Sequence, residues 1–165
     1  MENELATHLW YFAYGSNLDH STFIERRQMR PREVRWGWLS GYRLCFNIPV
    51  GPGERGVANI EPHPEGRVCG VLYDLTLEDC ERLDASEGVG FGLYRRTPVA
   101  ISTEAGGVSA FTYQSSAVAE NRKPSARYIG LLLDGARRHG LPTEWISILK
   151  AFPLAIDERE PGESR

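Results

Sequence analysis

The chain lacks the features of secreted, disulfide-stabilised and membrane proteins. It has only three cysteines in 165 residues, Cys45, Cys69 and Cys80, and no two of them form a CxxC pair. A disulfide framework or a zinc knuckle is therefore not expected, and the thiols are predicted to be buried and reduced. The first ten residues show no basic segment followed by an apolar run, and no apolar stretch is long enough to span a bilayer. These absences predict a cytoplasmic protein without a membrane partner.

Motifs for nucleophilic or metal-assisted catalysis are also missing. No GxSxG elbow surrounds Ser16, and none of the four histidines stands in a pattern with it, which argues against a Ser-His-Asp triad. His63 and Glu65 lack the HExxH type of spacing, so no metal site is predicted. His139 is interpreted as a cation at the end of a helix.

Composition and charge are those of an ordinary globular domain. The chain is 41% apolar and 25% charged, and its net charge of −3 argues against nucleic acid as the main partner. One stretch is an exception, because six arginines occur there against a single acid, Glu33: Arg26, Arg27, Arg30, Arg32, Arg35 and Arg43. We interpret this stretch as a solvated charged face. A nucleic-acid site built from these arginines and from Trp36 and Trp38 is the alternative.

The hydrophobic pattern predicts one α+β domain. We expect a lead-in at residues 1–8, a single domain at 9–155 and a flexible polar tail at 156–165. Extended segments are predicted at 9–14, at 36–47 with a break at Gly41, at 57–60 up to Pro62 and Pro64, at 68–75, at 93–101 and at 108–114. The last two segments are expected to be joined by a turn at Gly106-Gly107. The strands do not alternate regularly with helices, which favours an α+β or small-barrel fold with helices outside.

Helix starts are marked by side chains that can cap them. Asp19 or Ser21 is expected to cap a short helix, Thr76 a helix that ends near residue 85, and Ser125 a longer one. Apolar residues at helical spacing follow these caps: Leu77, Cys80 and Leu83, then Ile129, Leu132, Leu133 and Ala136, and finally Trp145, Ile148, Leu149 and Phe152.

The turn at residues 14–17, YGSN, is the first candidate for chemistry. Gly15 allows the backbone to come close to a ligand, and the N–H groups from Gly15 to Leu18 are in a position to converge on an oxygen atom. Ser16 and Asn17 add a hydroxyl and an amide. The alternative is an ordinary turn at the end of a strand.

Glu87 is the second candidate, because it follows a helix and precedes a glycine-rich run at residues 88–92. A carboxylate on such a rigid corner can be partly desolvated, which raises its pKa and suits it to acid–base work. The alternative is a surface residue at a helix end. The nearby Asp84 is interpreted as part of a solvated or capping face.

Three tyrosines form a third group of candidates: Tyr94, Tyr113 and Tyr128. They are interpreted either as packing residues with satisfied hydroxyls or as the wall of a small pocket.

Together these signals resemble the γ-glutamylcyclotransferase family. The resemblance rests on YFAYGSNL at residues 11–18 and on LDASEGV at 83–89, followed by Gly-Leu-Tyr at 92–94. SARY at 125–128 and GLP at 140–142 resemble later parts of the family, so the likeness runs from about residue 10 to about residue 153.

The resemblance implies a small mixed β-barrel flanked by α-helices. It also implies cleavage of a γ-glutamyl amide to 5-oxoproline and a free amine or amino acid, with no cofactor. Glu87 would be the catalytic acid–base, and the turn from Tyr14 to Leu18 would hold the γ-glutamyl group. Tyr94, Tyr113 and Tyr128 would line the pocket.

The resemblance also bears on the substrate. Related chains with a YGSL turn act on glutathione, whereas Asn17-Leu18 places this chain nearer the branch that uses γ-glutamyl amino acids and amines. Residues 30–43 and 91–93, outside the motifs, are expected to select the leaving group. Open alternatives are a non-catalytic binding module on the same fold and a tailoring enzyme that removes a γ-glutamyl group from a biosynthetic intermediate. A monomer and a homodimer are both compatible with the sequence.

Overall fold

A computed structural model describes residues 7–156, and within them five strands close into a barrel. The strands are β1 (His8–Ala13), β2 (Val34–Pro49), β3 (Gly56–Thr76), β4 (Arg95–Thr103) and β5 (Gly106–Gln114). Their order around the barrel is β1-β3-β2-β4-β5, and a parallel pairing of Tyr11 with Phe111 joins β1 to β5. The other pairings are antiparallel, so the predicted mixed barrel is confirmed. Most of the predicted lead-in and tail lies outside the described residues, and those boundaries stay predictions.

Two sequence predictions about strands β2 and β3 are wrong. Strand β3 runs from Gly56 to Thr76 without interruption, although Pro62 and Pro64 were expected to end it. The pairing with β2 shifts register between Ser40 and Tyr42, and Pro62 pairs with Tyr42 directly beside that shift. A bulge leaves backbone groups unpaired, so the missing proline N–H removes no ladder hydrogen bond there. Strand β2 likewise continues through residue 41, where the register shift distorts the strand without breaking it.

The hairpin that joins β4 to β5 is displaced by two residues from its predicted position. Gly106 already pairs with Thr103, so residues 104–105 form the turn and the two glycines begin strand β5.

Three α-helices pack outside the barrel: α1 (Leu77–Ser86), α2 (Ala126–Arg138) and α3 (Thr143–Ala151). The predicted caps are confirmed, because the Thr76 hydroxyl accepts from the Asp79 N–H at 3.1 Å and the Ser125 hydroxyl from the Tyr128 N–H at 3.0 Å. The Asp19 carboxylate likewise accepts from Thr22 N–H at 3.0 Å and starts a short π-helix at Ser21–Arg26. No helix within residues 7–156 is long and apolar enough to cross a membrane.

Helix α2 reaches the barrel through a close backbone contact. A Cβ atom on Gly135 would lie 2.4 Å from the carbonyl oxygen of Leu18, so only glycine permits this approach. Ile129, Leu132 and Ala136 on the same helix are buried. The contact fixes the turn that follows β1 against α2.

The cysteines and the arginine-rich stretch have structural roles. Cys69 and Cys80 are buried as predicted and Cys45 is half-buried; all three are free thiols. Of the six arginines of the stretch, Arg27 is half-buried, and its Nη2 lies 3.9 Å from an oxygen of Glu87. Arg32, Arg35 and Arg43 instead form salt bridges at the surface with Asp74, Glu33 and Glu61. This is the arrangement of an ion-paired, solvated face.

Candidate active site

The turn after β1 and the corner after α1 meet at one pocket. The pocket encloses about 320 Å³ of space that opens to solvent. Its lining comes from well-separated parts of the chain: Tyr11, Tyr14, Gly15, Ser16, Asn17, Ala58, Glu87, Tyr94, Tyr113 and Tyr128. Of the residues predicted for the site, Leu18 alone does not line the pocket.

The turn is a single tight helical turn, Ser16–Leu18. The Leu18 N–H donates to the Gly15 carbonyl at 3.0 Å, and the Leu18 side chain is fully buried. The Leu18 N–H is therefore occupied, which leaves three of the four N–H groups that were expected to converge on an oxygen atom. The N–H groups of Ser16 and Asn17 have no protein partner within residues 7–156, which is the usual state of the first donors of a helical turn.

Gly15 occupies a tight space in the floor of the pocket. A Cβ atom at this position would lie 3.1 Å from the Cβ of Ala58 and 3.1 Å from the Tyr128 hydroxyl oxygen. The φ angle of Gly15 is −116°, outside the left-handed region that favours glycine. The glycine therefore allows the turn to press against β3 and α2 at the floor of the pocket.

Asn17 joins the turn to Glu87 and is almost fully buried. Its Nδ2 atom donates to Glu87 Oε1 at 3.0 Å and to the Tyr11 hydroxyl at 2.9 Å. Its main-chain carbonyl accepts from the Tyr73 hydroxyl at 3.0 Å. Its Oδ1 atom is buried and has no hydrogen-bond partner within the described part of the chain. Asn17 thus orients the Glu87 carboxylate and keeps one acceptor unused.

Glu87 lies at the C-terminal end of α1, where its N–H donates to the Leu83 carbonyl at 2.9 Å. The helix ends because Gly88 takes a left-handed conformation with φ of +70°. The Glu87 side chain is 14% exposed, and Arg27 Nη2 lies 3.9 Å from its Oε1. A carboxylate is therefore held rigidly between an amide donor and a guanidinium group.

The predicted tyrosines surround the pocket with their hydroxyls bound to protein groups. Tyr94 donates to the Ala58 carbonyl at 2.9 Å, and Tyr128 accepts from the Ala58 N–H at 3.1 Å. The Tyr113 hydroxyl donates to Asp84 at 2.5 Å. Burial raises the pKa of Tyr14 and of Tyr113 above the usual value, so both hydroxyls stay protonated at neutral pH. Any contact with substrate by these tyrosines stays a prediction.

The sequence interpretation missed four residues of this site: Tyr11, Arg27, Ala58 and Asp84. Asp84 is not a solvated capping residue, because it accepts hydrogen bonds from Tyr113 and from Arg96 Nε at 2.8 Å. Arg27 carried no signal that set it apart from its neighbouring arginines. Ala58 contributes chiefly backbone, so its side-chain type gave no indication of its position.

The histidines do not form a metal site. Among residues 7–156, no group of three or more His, Cys, Asp or Glu side chains is placed to hold a metal ion. His63 accepts from the Glu65 N–H at 3.3 Å within strand β3. His139 lies 3.3 Å from the Tyr73 hydroxyl, and burial lowers its pKa. The protein thus favours a neutral ring there, contrary to the predicted cation.

Comparisons with known proteins agree with this arrangement. Residues 67–149 match the model of the AIG2-like family. A gamma-glutamylcyclotransferase of Bos taurus is 34% identical over 143 residues, which cover 82% of this chain and 73% of that relative. The gamma-glutamyl cyclotransferase gliK of Claviceps purpurea is 32% identical over 81% of this chain and 65% of its own length.

A solved structure named gamma-glutamyl cyclotransferase superposes with a TM-score of 0.82 at 27% identity and covers 94% of both chains. The barrel, the turn and the Glu87 corner therefore occur in a fold shared along nearly the whole length. The chain belongs to the gamma-glutamylcyclotransferase family.

Proposed function

We propose that the protein cleaves a γ-glutamyl amide into 5-oxoproline and a free amine or amino acid. The observation that carries the proposal is the pairing of Glu87 with the turn at residues 14–17 in one pocket, bridged by Asn17. The names of its relatives, gamma-glutamylcyclotransferases of mammals and fungi, support the same activity.

The proposed reaction is an intramolecular ring closure. The α-amine of the substrate attacks its own γ-carbonyl carbon, a C–N bond closes the five-membered ring, and the C–N bond to the leaving amine breaks. Holding the substrate in a folded shape supplies an effective molarity of about 10⁵ M or more in favourable cases. The enzyme needs no nucleophile of its own, so Ser16 is assigned no covalent role.

Glu87 is proposed as the proton shuttle. The α-amine is an ammonium ion at neutral pH and must lose a proton before it attacks, while the leaving nitrogen must gain one. One carboxylate can do both in turn. The hydrogen bond from Asn17 orients the Glu87 carboxylate, and the guanidinium of Arg27 lies 3.9 Å from its Oε1.

The turn is proposed to stabilise the oxygen of the tetrahedral intermediate. The N–H groups of Ser16 and Asn17 are open donors at the pocket wall. Such donors act where negative charge develops, and loss of one typically costs about 10²- to 10³-fold in rate.

The decisive test uses γ-glutamyl-alanine as substrate and 5-oxoproline as the measured product. Glu87→Gln is expected to lower kcat by about 10²- to 10⁴-fold because the amide cannot accept a proton. The control Glu81→Gln changes an exposed carboxylate on the same helix and should behave as wild type.

Two outcomes would contradict this proposal. Wild-type rates in Glu87→Gln would remove Glu87 from the mechanism. Turnover of N-acetyl-γ-glutamyl-alanine to the same extent would exclude ring closure by the α-amine. Saturable binding without any 5-oxoproline would instead support the alternative of a binding module.

The finer parts of the assignment are proposals of the same kind. Asn17-Leu18 in the turn favours γ-glutamyl amino acids or amines over glutathione, and a substrate panel that includes glutathione tests this preference. A larger γ-glutamyl metabolite as substrate would identify a tailoring enzyme. We place the protein in the cytoplasm, where its three free thiols would remain reduced.

A further inference from the structure

A second cavity shares one wall with the Glu87 pocket. It measures about 380 Å³, open solvent included, and lies between the loop after β2, the start of β3 and the first turns of α2. Tyr128 lines both cavities. On β3, Val57 lines the second cavity and its neighbour Ala58 lines the Glu87 pocket. A small molecule in one cavity therefore lies next to the other cavity.

Arg55 in this second cavity, which we name the Arg55 cavity, is a buried cation without a counterion among residues 7–156. Only 6% of the residue is exposed, and its Nε atom is buried without a hydrogen-bond partner. No salt bridge within residues 7–156 includes Arg55, and the adjacent Glu54 pairs with Lys123 at 3.6 Å. A buried charge without a partner is strongly unfavourable, so this group requires an explanation.

The backbone around Arg55 is shaped to admit its guanidinium group. A Cβ atom on Gly51 would lie 2.7 Å from Arg55 Nη2, so a side chain at residue 51 would displace the guanidinium. Gly51 also has φ of +62°, which favours glycine. Arg122 donates to the carbonyls of Gly51 and Arg55 and closes the loop from the other side.

The first turn of α2 adds further positive potential to the Arg55 cavity. The Ser125 hydroxyl caps the Tyr128 N–H, and the N–H groups of Ala126 and Arg127 have no partner within the described residues. A helix of 13 residues carries a partial positive charge at this end. The Arg127 side chain also lines the cavity and forms no salt bridge in the described chain.

We propose that the Arg55 cavity binds a carboxylate on a short apolar body. The Arg55 guanidinium and the open N–H groups of α2 fit the two oxygens of a carboxylate. The walls made by Val50, Val57 and Leu131 fit a small apolar group. A bound carboxylate supplies the counterion that Arg55 lacks.

The position of the cavity indicates where such a carboxylate comes from. A γ-glutamyl amino acid carries a second carboxylate, on the half that leaves, and this half must extend from the Glu87 pocket. The shared wall at Tyr128 places the Arg55 cavity next to it. This part of the inference rests on the proposed function, whereas carboxylate binding itself does not. A free carboxylic acid is the other source of the same chemistry.

The first experiment measures binding without catalysis. Thermal unfolding of the full chain is compared in propionate, in its neutral isostere propanamide and in chloride at the same ionic strength. Propionate at roughly ten times its Kd should raise the Tm by about 3 °C over both controls. Arg55→Met should lose this shift, and Arg137→Met, an exposed arginine at the other end of α2, should keep it.

The second experiment identifies the source of the carboxylate. γ-Glutamyl-alanine and γ-glutamyl-ethylamine differ only in the carboxylate of the leaving half. Wild type should favour the alanine compound in kcat/KM by roughly 10- to 100-fold. Arg55→Met should lower kcat/KM for that compound alone, and Arg55→Lys should restore part of the preference.

The outcomes separate this inference from the proposed function. A Tm shift that depends on Arg55, with no turnover of either compound, supports the carboxylate site and contradicts the proposed function. Turnover of both compounds with equal kcat/KM, together with an Arg55-dependent Tm shift, identifies a free carboxylic acid as the ligand. Turnover without any Arg55-dependent Tm shift or substrate preference overturns the carboxylate site.

Discussion

The two cavities that meet at Tyr128 treat buried charge in opposite ways. In the Glu87 pocket the carboxylate accepts a hydrogen bond from Asn17 and faces Arg27 at 3.9 Å. In the Arg55 cavity the guanidinium has no carboxylate partner among residues 7–156. The Glu87 carboxylate thus has protein partners before substrate arrives. The Arg55 guanidinium gains a counterion only when an anion is present.

This difference assigns different tasks to the two cavities. A proton shuttle must hold a defined charge and orientation throughout the reaction, which requires fixed protein partners. A binding subsite gains affinity when its charge is left unpaired until the ligand supplies the partner. The Glu87 pocket is therefore expected to be sensitive to its neighbours, whereas the Arg55 cavity is expected to be sensitive to its ligand.

The largest loss of rate is expected when the amide that donates to Glu87 is removed. Asn17→Asp keeps the shape of the side chain but places a second carboxylate about 3 Å from Glu87. Like charges at that distance cannot both remain ionised without a large cost, so kcat at neutral pH should fall by about 10²-fold. The measurement is the rate of 5-oxoproline release.

The control for this prediction is Asn121→Asp, which adds the same charge at an exposed residue outside both cavities. Its rate should equal that of wild type. An unchanged rate in Asn17→Asp would show that Glu87 does not depend on Asn17 for its charge or orientation.

The sequence predicted the corner that carries Glu87 because the signals for this corner are local. Thr76 caps α1, and Gly88 ends the helix one residue after Glu87, so the corner follows from capping rules alone. The meeting of Glu87 with Asn17, 70 residues apart in the chain, is a tertiary contact. Only the family resemblance anticipated it.

The sequence did not predict the Arg55 side, because nothing local distinguishes a buried arginine from an exposed one. Arg55 follows a loop with Gly51 and Gly53 and resembles the many surface arginines of the chain. Its burial results from Gly51 and from the start of α2, which lies about 70 residues later. From the sequence, residues 30–43 and 91–93 were expected to select the leaving group of the substrate. For the same reason, the sequence did not distinguish Arg27 from its neighbouring arginines.

A smaller effect is expected from the cation on the Glu87 side. Arg27→Gln removes the guanidinium near Glu87, and kcat should fall by about 10-fold. The measurement is the rate of 5-oxoproline release. The neighbouring Arg26→Gln, which changes an exposed side chain with no ion pair in the described structure, should keep the wild-type rate. An unchanged rate in Arg27→Gln would contradict electrostatic support by Arg27.

The smallest expected effect concerns the scaffold behind the turn. His139 contacts the Tyr73 hydroxyl, which in turn holds the Asn17 carbonyl, and burial lowers the pKa of His139 below its usual 6.5. The unfolded chain then binds a proton that the folded chain resists, so stability is full above pH 6.5 and declines as the pH falls below it.

The loss should be less than about 1 kcal/mol because the ring is partly exposed and screened. Urea unfolding of wild type and of His139→Gln at about pH 7.5 and about pH 5.5 measures it. The variant should lose less stability on acidification than wild type, and equal losses would contradict the role of His139. His139 does not line the Arg55 cavity, so Arg55-dependent binding of propionate should be nearly the same at the two pH values. Acid would then weaken the scaffold behind the Glu87 pocket without changing propionate binding in the Arg55 cavity.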